Sequence, residues 1–176
     1  MKTQVTAFGF EVLVTYLLPG ILATIAVFIW HGVGMNEART IISWAQEAQF
    51  LASFVMLSLF TLFGALIASL QAILESRFLD RLTPWLMKKD HDKFDEEWDY
   101  YINNLPNNSY ISRVVLFFQF ETRLGLAAII LGVTLLGVSM LHALILTFFG
   151  VVIYGIGVAH HKELGIIREI FFKDKD

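Results

Sequence analysis

The longest uncharged stretch of the chain runs from Leu124 to Ala159, 36 residues without an Asp, Glu, Lys or Arg. As one α-helix rising about 1.5 Å per residue it would be roughly 54 Å long, whereas a bilayer core is about 30 Å thick. The stretch therefore predicts two membrane-spanning helices joined by a tight turn. Polar side chains cluster within it only near Ser139–His142, where we expect the turn.

Two further apolar runs of span length lie in the N-terminal half of the chain, at about 12–30 and 50–74. Together with 117–138 and 141–159 they predict four spans. The fold class expected for residues 1–176 is therefore all-α, a single integral membrane four-helix bundle. The first run is expected to be a retained span, because only Lys2 precedes it and no small-residue cleavage site follows Trp30.

Pro19-Gly20 lies in the middle of the first apolar run. Proline removes a backbone donor and clashes with the preceding helical turn, so a kink is expected there. The kink could serve packing alone or act as a gating hinge.

Two shorter polar segments flank the spans. Residues 31–49 predict a short surface helix, with Asn36 as its cap and Ala38, Ile41 and Ala45 at helical spacing. Residues 160–176 form a polar tail whose apolar residues have the spacing of a separate short amphipathic helix on the membrane surface.

Residues 75–112 form the only sizeable polar segment, which we expect to be a short helical cytoplasmic loop. Thr83-Pro84 is a helix-start signal, and 92–104 has the apolar stripe of a second short helix. The loop carries the residue types that dominate protein interfaces, and these are the candidate partner-docking residues Trp85, Phe94, Trp98, Tyr100 and Tyr101. The alternative is that these aromatics only cover the helix ends.

Basic residues predict the orientation of the chain in the membrane. Of its 13 Lys and Arg residues, Arg39 alone lies in the first outer loop, and the turn between the third and fourth spans has none. By the positive-inside rule, both termini and the loop 75–112 are cytoplasmic. The expected location is a bacterial inner membrane.

Several polar residues fall at one membrane level, on the predicted cytoplasmic side. This polar belt consists of Glu11, Gln71, Glu75, Arg77, Gln119, Glu121, Arg123, His160 and His161. It could line the mouth of a pore or proton path, or bind a partner protein. The structural alternative is snorkelling with ion pairs between helix ends. Since an uncompensated charge in the membrane is costly, we expect Glu121 or Glu11 to pair with Arg77 or Arg123.

Small residues recur at helical spacing on two of the spans. They are Gly64, Ala68 and Ala72 on the second span and Gly125, Ala128 and Gly132 on the third. Such stripes let helix backbones approach closely in lipid, either within one protomer or between copies.

Composition narrows the function classes. The chain is 56% hydrophobic and 16% charged with a mean hydropathy of +0.63, whereas soluble domains are about 25% charged. A net charge of −3 does not favour nucleic-acid binding, and a chain without cysteine has no disulfide or thiolate chemistry. Sequence motifs of hydrolases, P-loops and dinucleotide sites are missing, so neither an enzyme nor a cofactor is expected. His160-His161 is too short a motif for a metal site.

The opening residues 8–20, FGFEVLVTYLLPG, resemble the start of a loose group of uncharacterised small bacterial membrane proteins. Those proteins share a Y-L-L-P-G style first span, and the likeness implies no active residues. The overall plan is also similar to that of membrane subunits of bacterial anti-phage systems, an analogy of architecture alone.

The sequence therefore predicts a non-enzymatic membrane anchor or scaffold subunit that docks a soluble cytoplasmic partner, in bacterial defence by that analogy. The alternative is a homo-oligomeric pore or membrane-disrupting effector. The expected partners are the lipid bilayer, further copies of the chain and the soluble protein.

Overall fold

The computed structural model describes residues 13–79, 85, 96 and 109–173, and helices account for nearly all of them. A π-helical turn, Leu13–Leu17, leads into α1, Leu18–Trp30. Helix α2 is Met35–Glu47, and α3 is Gln49–Leu74, which continues as a second π-helical turn, Glu75–Leu79. Helix α4 is Ser109–Thr134, a 3₁₀ turn follows at Leu135–Gly137, and α5 is Met140–Lys173.

Three of the described helices are long and apolar enough to cross a membrane, which confirms an all-helical membrane protein. They are Gln49–Leu79, Arg113–Gly137 and Met140–Ile167. The helix at Thr15–Trp30 is equally apolar but shorter. Residues 1–12 lie outside the described part of the chain, so the fourth span stays a prediction.

Helices α4 and α5 form an antiparallel hairpin with close backbone contact. A Cβ atom on Gly125 would lie 2.6 Å from the Tyr154 backbone nitrogen, and one on Gly150 would lie 2.8 Å from the Ile129 nitrogen. Ala143 is fully buried in this contact, and Gly132 lies against Thr147. Small side chains thus allow the two backbones to approach as closely as they do.

Helix α1 lies between α3 and α4. Gly20 contacts the backbone of Phe60, and Gly64 contacts the backbone of Tyr16, so closely that a Cβ at either glycine would overlap a carbonyl oxygen. Ala23, Ile67 and Ala127 from the three helices are buried together nearby. The resulting order across the molecule is α3, α1, α4, α5.

Two expected turns differ in detail from the structure. The α4–α5 turn lies at 135–139 and shares only Ser139 with the predicted Ser139–His142, because His142 lies in the first turn of α5. The Ser139 carbonyl accepts from the Ala143 N–H at 3.0 Å, and Ser139 Oγ is 2.7 Å from His142 Nδ1. Asn36 was wrongly expected to cap α2: extended Gly34 occupies that position, and Asn36 lies inside the helix.

Helical structure continues further into both polar segments than the predicted span ends. Helix α3 continues without a break into the turn Glu75–Leu79, and Leu79 is buried. The apolar residues that predicted a short amphipathic helix in the tail lie within α5, which is continuous to Lys173. Leu164 and Gly165 are buried against the bundle, which explains why the helix carries on past its apolar stretch.

Candidate functional site

Polar side chains from three helices meet at one end of the bundle, where α3 ends and α5 leaves its apolar stretch. We call this the polar end, and the opposite end, which holds α2 and the α4–α5 turn, the turn end. Most members of the predicted polar belt whose side chains the structure describes lie at the polar end. Its members form two histidine–carboxylate pairs and one isolated arginine contact.

The first pair joins α5 to α4. His160 Nδ1 lies 2.6 Å from Glu121 Oε2, and both side chains are partly exposed. The ring of Phe117 stacks on the His160 ring with their centroids 6.2 Å apart. The imidazole and the carboxylate are therefore held in a fixed relative orientation at the edge of the bundle.

The second pair joins α5 to the end of α3, and its histidine is buried. His161 Nε2 lies 3.9 Å from Glu75 Oε1, and the amide of Gln71 donates to Glu75 Oε2 at 2.9 Å. Gln71 is only 2% exposed, and Phe118 packs on the His161 ring. Gln71 and Glu75 are one helical turn apart, so they share a face of α3 that points at α5.

A small apolar core lies beside these pairs. Leu79, Val114, Phe118 and Leu164 are buried together, which brings the end of α3, the start of α4 and the last third of α5 into one contact. Leu79 and Val114, on either side of the segment 80–108, therefore lie in one packed cluster.

Arg123 makes a contact that hydropathy did not predict. It is 9% exposed, its guanidinium carbon lies 5.1 Å from the centre of the Tyr16 ring, and Nη1 donates to the Thr15 carbonyl at 3.5 Å. Thr15 lies in the π-helical turn Leu13–Leu17, and Arg123 brings a donor from α4 to its carbonyl.

Arg123 lies inside its span, six residues past the predicted start at residue 117. It lies 14 residues before Gly137, about 21 Å along the helix, and Tyr16 lies 14 residues before Trp30. If Trp30 and Gly137 mark one boundary of a core about 30 Å thick, both residues lie about 9 Å inside the other. The Arg123 Nε is buried and has no hydrogen-bond partner among the described residues.

The expected pairing of carboxylates with arginines is not what the described residues show. Glu121 pairs with His160, and Arg123 contacts a carbonyl and an aromatic ring instead. Arg77 is exposed, and Gln119 is half-buried on α4. Glu11 lies outside the described residues. Glu121 and Arg123 are two residues apart on one helix. Their side chains therefore point in different directions around the helix axis and contact different neighbours.

The small residues divide between buried and exposed positions. Gly64, Gly125, Ala128 and Gly132 are buried in contacts between helices of the same chain. Ala68 is half-buried and Ala72 is exposed. The second-span stripe therefore lies only partly in the interior of the protomer.

Of the candidate docking aromatics, Trp85 is the one that the structure describes. It is helical and 72% exposed. Phe94, Trp98, Tyr100 and Tyr101 lie outside the described residues, as does the predicted helix 92–104.

The site was only partly visible in the sequence. Thr15 and Tyr16 were not singled out, because the sequence pattern does not show that Arg123 of α4 lies against them. The hydroxyls of Thr24 and Thr122 are buried, and each donates to the carbonyl four residues earlier in its own helix, at 2.8 and 2.7 Å. These hydroxyls are thereby satisfied locally.

The chemistry available at the polar end is that of two imidazole–carboxylate pairs, of which His160–Glu121 is hydrogen-bonded and His161–Glu75 is a looser ion pair at 3.9 Å. Within residues 13–79 and 109–173, no three His, Asp or Glu side chains converge as metal ligands would. No family model, curated protein or solved structure matches the chain.

Proposed function

We propose that this chain is a non-enzymatic membrane anchor or scaffold that presents its segment 80–108 to a soluble partner. The observation that supports the proposal is the packed polar end. Leu79, one residue before the segment, and Val114, six residues after it, lie in the same buried cluster. An anchor needs its display segment to start and end on a rigid base, and this cluster supplies one.

The orientation in the proposal rests on charge. The polar end carries Arg77 and Arg113, and the segment 80–108 adds four further basic residues. Under the positive-inside rule this end faces the cytoplasm, in a bacterial inner membrane. The exposed indole of Trp85 is the kind of side chain that anchors a protein interface.

Site-specific photo-cross-linking in cells tests the docking function. A benzophenone side chain at Trp85 should cross-link to one soluble protein, whereas the same side chain at Phe148, exposed on α5 and expected to face lipid, should not. Cross-linking at position 85 to lipid or to further copies of the chain alone would refute the docking role.

Thiol labelling tests the orientation separately, because the chain has no native cysteine. A membrane-impermeant maleimide should label an Ile42→Cys variant in intact cells. It should label a Trp85→Cys variant only after the membrane is opened. The reverse pattern would invert the topology.

The second candidate is a homo-oligomer, which one feature of α3 favours. Its exposed face carries small residues at helical spacing, Thr61, Ala65, Ser69 and Ala72, on the side away from α1. Small residues on an exposed span let a second helix approach closely. An Ala65→Leu substitution should then reduce the oligomer in native mass spectrometry, without the internal clash that a change at Gly64 causes.

A further inference from the structure

An apolar cleft opens between α1, α3 and α4 in the half of the bundle nearer the turn end. Its volume is 460 Å³, and its walls include Ala23, Ala26, Trp30, Phe63, Ile67 and Val133. The buried contact of Ala23 with Ile67 and Ala127 closes it toward the polar end. Trp30 and Val133 lie at its exposed edge.

The position of the cleft places it in the hydrocarbon region of the membrane. From Trp30 to Ala23 it extends seven residues along α1, about 10 Å inward from the helix end. The helices that form its walls include two of the three that are long and apolar enough to cross a membrane.

The interior of the cleft offers no free polar side chain to a polar ligand. Two lining residues carry a polar group: the Thr134 hydroxyl already donates to the Leu131 carbonyl at 2.8 Å, and Trp30, with its indole N–H, lies at the exposed edge. A polar molecule entering the cleft would lose its hydrogen bonds to water without replacing them. The occupant must therefore be apolar.

The volume of the cleft suits a single thin hydrocarbon chain and is too small for a helix. A helix about 10 Å across would fill 460 Å³ with roughly one turn, far less than the several turns of a packed span. A methylene group takes about the volume of a water molecule in the liquid, roughly 30 Å³, so the cleft has room for about fifteen methylenes. That is the size of one lipid acyl chain.

We propose that this cleft is a binding site for the acyl chain of a membrane lipid from the leaflet at the turn end, with its headgroup beside Trp30. In hydrocarbon the attraction comes from packing, because wall atoms facing a void lose their dispersion contacts. Branched side chains and alanines give the walls a concave shape that a flexible chain can follow. The site is independent of partner docking at the opposite end.

Photoactivatable lipid in vesicles tests this proposal on the full-length protein. The vesicles contain phosphatidylethanolamine and phosphatidylglycerol with a small fraction of a diazirine-bearing palmitoyl lipid. Peptide mapping should find several-fold more label on the residues that line the cleft than on exposed α5 residues such as Phe148. Equal labelling of the two surfaces would overturn the proposal, and this measurement needs no variant.

A matched pair of variants then tests the cleft itself. Val133 is 52% exposed at the cleft edge, and Val151 is 56% exposed on α5, away from it. Val133→Trp should lower cleft labelling several-fold and reduce the number of lipids retained in native mass spectrometry, whereas Val151→Trp should change neither. Unchanged labelling in Val133→Trp, or disulfide formation between copies of a Val133→Cys variant, would assign the cleft to something other than lipid.

Discussion

The two ends of the bundle are built from the same helices but closed in different ways. At the polar end, α3, α4 and α5 are joined by the Glu75–His161 and Glu121–His160 pairs and by a buried apolar cluster around Phe118. At the turn end, α3 and α4 stay apart on either side of α1, and an apolar cleft of 460 Å³ remains between them.

The difference shows that apolar character alone does not bring these helices together, and that side-chain size and polar pairing decide where they meet. In lipid, apolar side chains gain little by contacting each other instead of lipid tails. Glycines and hydrogen-bonded polar pairs bring helices together, whereas the large aliphatic side chains at the turn end leave a cleft that lipid can fill. The polar end is therefore expected to be rigid and the turn end adaptable.

The largest expected effect comes from the glycine contact that holds α1 on α3. A Cβ at residue 64 would overlap the Tyr16 carbonyl oxygen, so Gly64→Ala should destabilise the fold by about 1–3 kcal/mol, as overpacking does. Reversible unfolding in mixed micelles measures the change in the free energy of unfolding.

Gly155→Ala is the matched control for that change. A Cβ at residue 155 meets nothing within 4 Å, and alanine is favoured over glycine in a helix by about 1 kcal/mol. The control should be neutral or stabilising. Equal losses in the two variants would contradict the close contact of α1 with α3.

A cysteine-pair experiment compares the two ends directly. The chain lacks native cysteine, so Leu79→Cys with Leu164→Cys reports on the polar end, and Leu66→Cys with Val133→Cys reports across the cleft. A short thiol cross-linker should join the first pair several-fold faster than the second, as read on a denaturing gel.

Two outcomes would contradict the expected difference in cross-linking rate. Equal rates would mean that the turn end closes as tightly as the polar end. A faster rate across the cleft would reverse the assignment of rigidity, and both outcomes would leave no room for a bound acyl chain.

A double-mutant cycle tests the contact between Arg123 and the Tyr16 ring. Leucine at position 16 removes the ring, so Arg123→Met should cost less in the Tyr16→Leu background than in the native chain. The expected coupling is about 1 kcal/mol, the contribution of one cation–π contact. Free energies of unfolding of the four proteins give the value.

Exposed Arg77 is the control for this cycle. Arg77→Met should show no coupling to Tyr16→Leu. If the Arg123 cycle also gave zero coupling, the contact with Tyr16 would be incidental.

The smallest expected effect concerns the partly exposed pair at the bundle edge. Glu121→Gln keeps an oxygen that can accept a hydrogen bond from His160 but removes the charge, so the loss of stability should be below about 1 kcal/mol. Thermal unfolding in micelles is sensitive enough to compare it with Gly64→Ala. A loss as large as that of Gly64→Ala would mean that Glu121 does more than pair with His160.

The sequence by itself determined that this is an all-helical membrane protein, and where most of its helices lie. Hydropathy is a sum over neighbouring residues, so the runs ending at Leu74 and beginning after the α4–α5 turn are readable without knowledge of packing. The clustering of polar residues at one end is also a consequence of their positions along antiparallel helices.

Only the tertiary structure decided which residues meet. The choice of His160 over an arginine as the partner of Glu121 depends on the rotation of α4 against α5, which hydropathy does not encode. The continuation of α5 to Lys173, the contact of Arg123 with Thr15 and the cleft beside Trp30 depend in the same way on the distances between helices. Those distances are set by backbone contacts at a few glycines, above all Gly20 and Gly64. The sequence shows where the glycines are, but not which backbone lies against them.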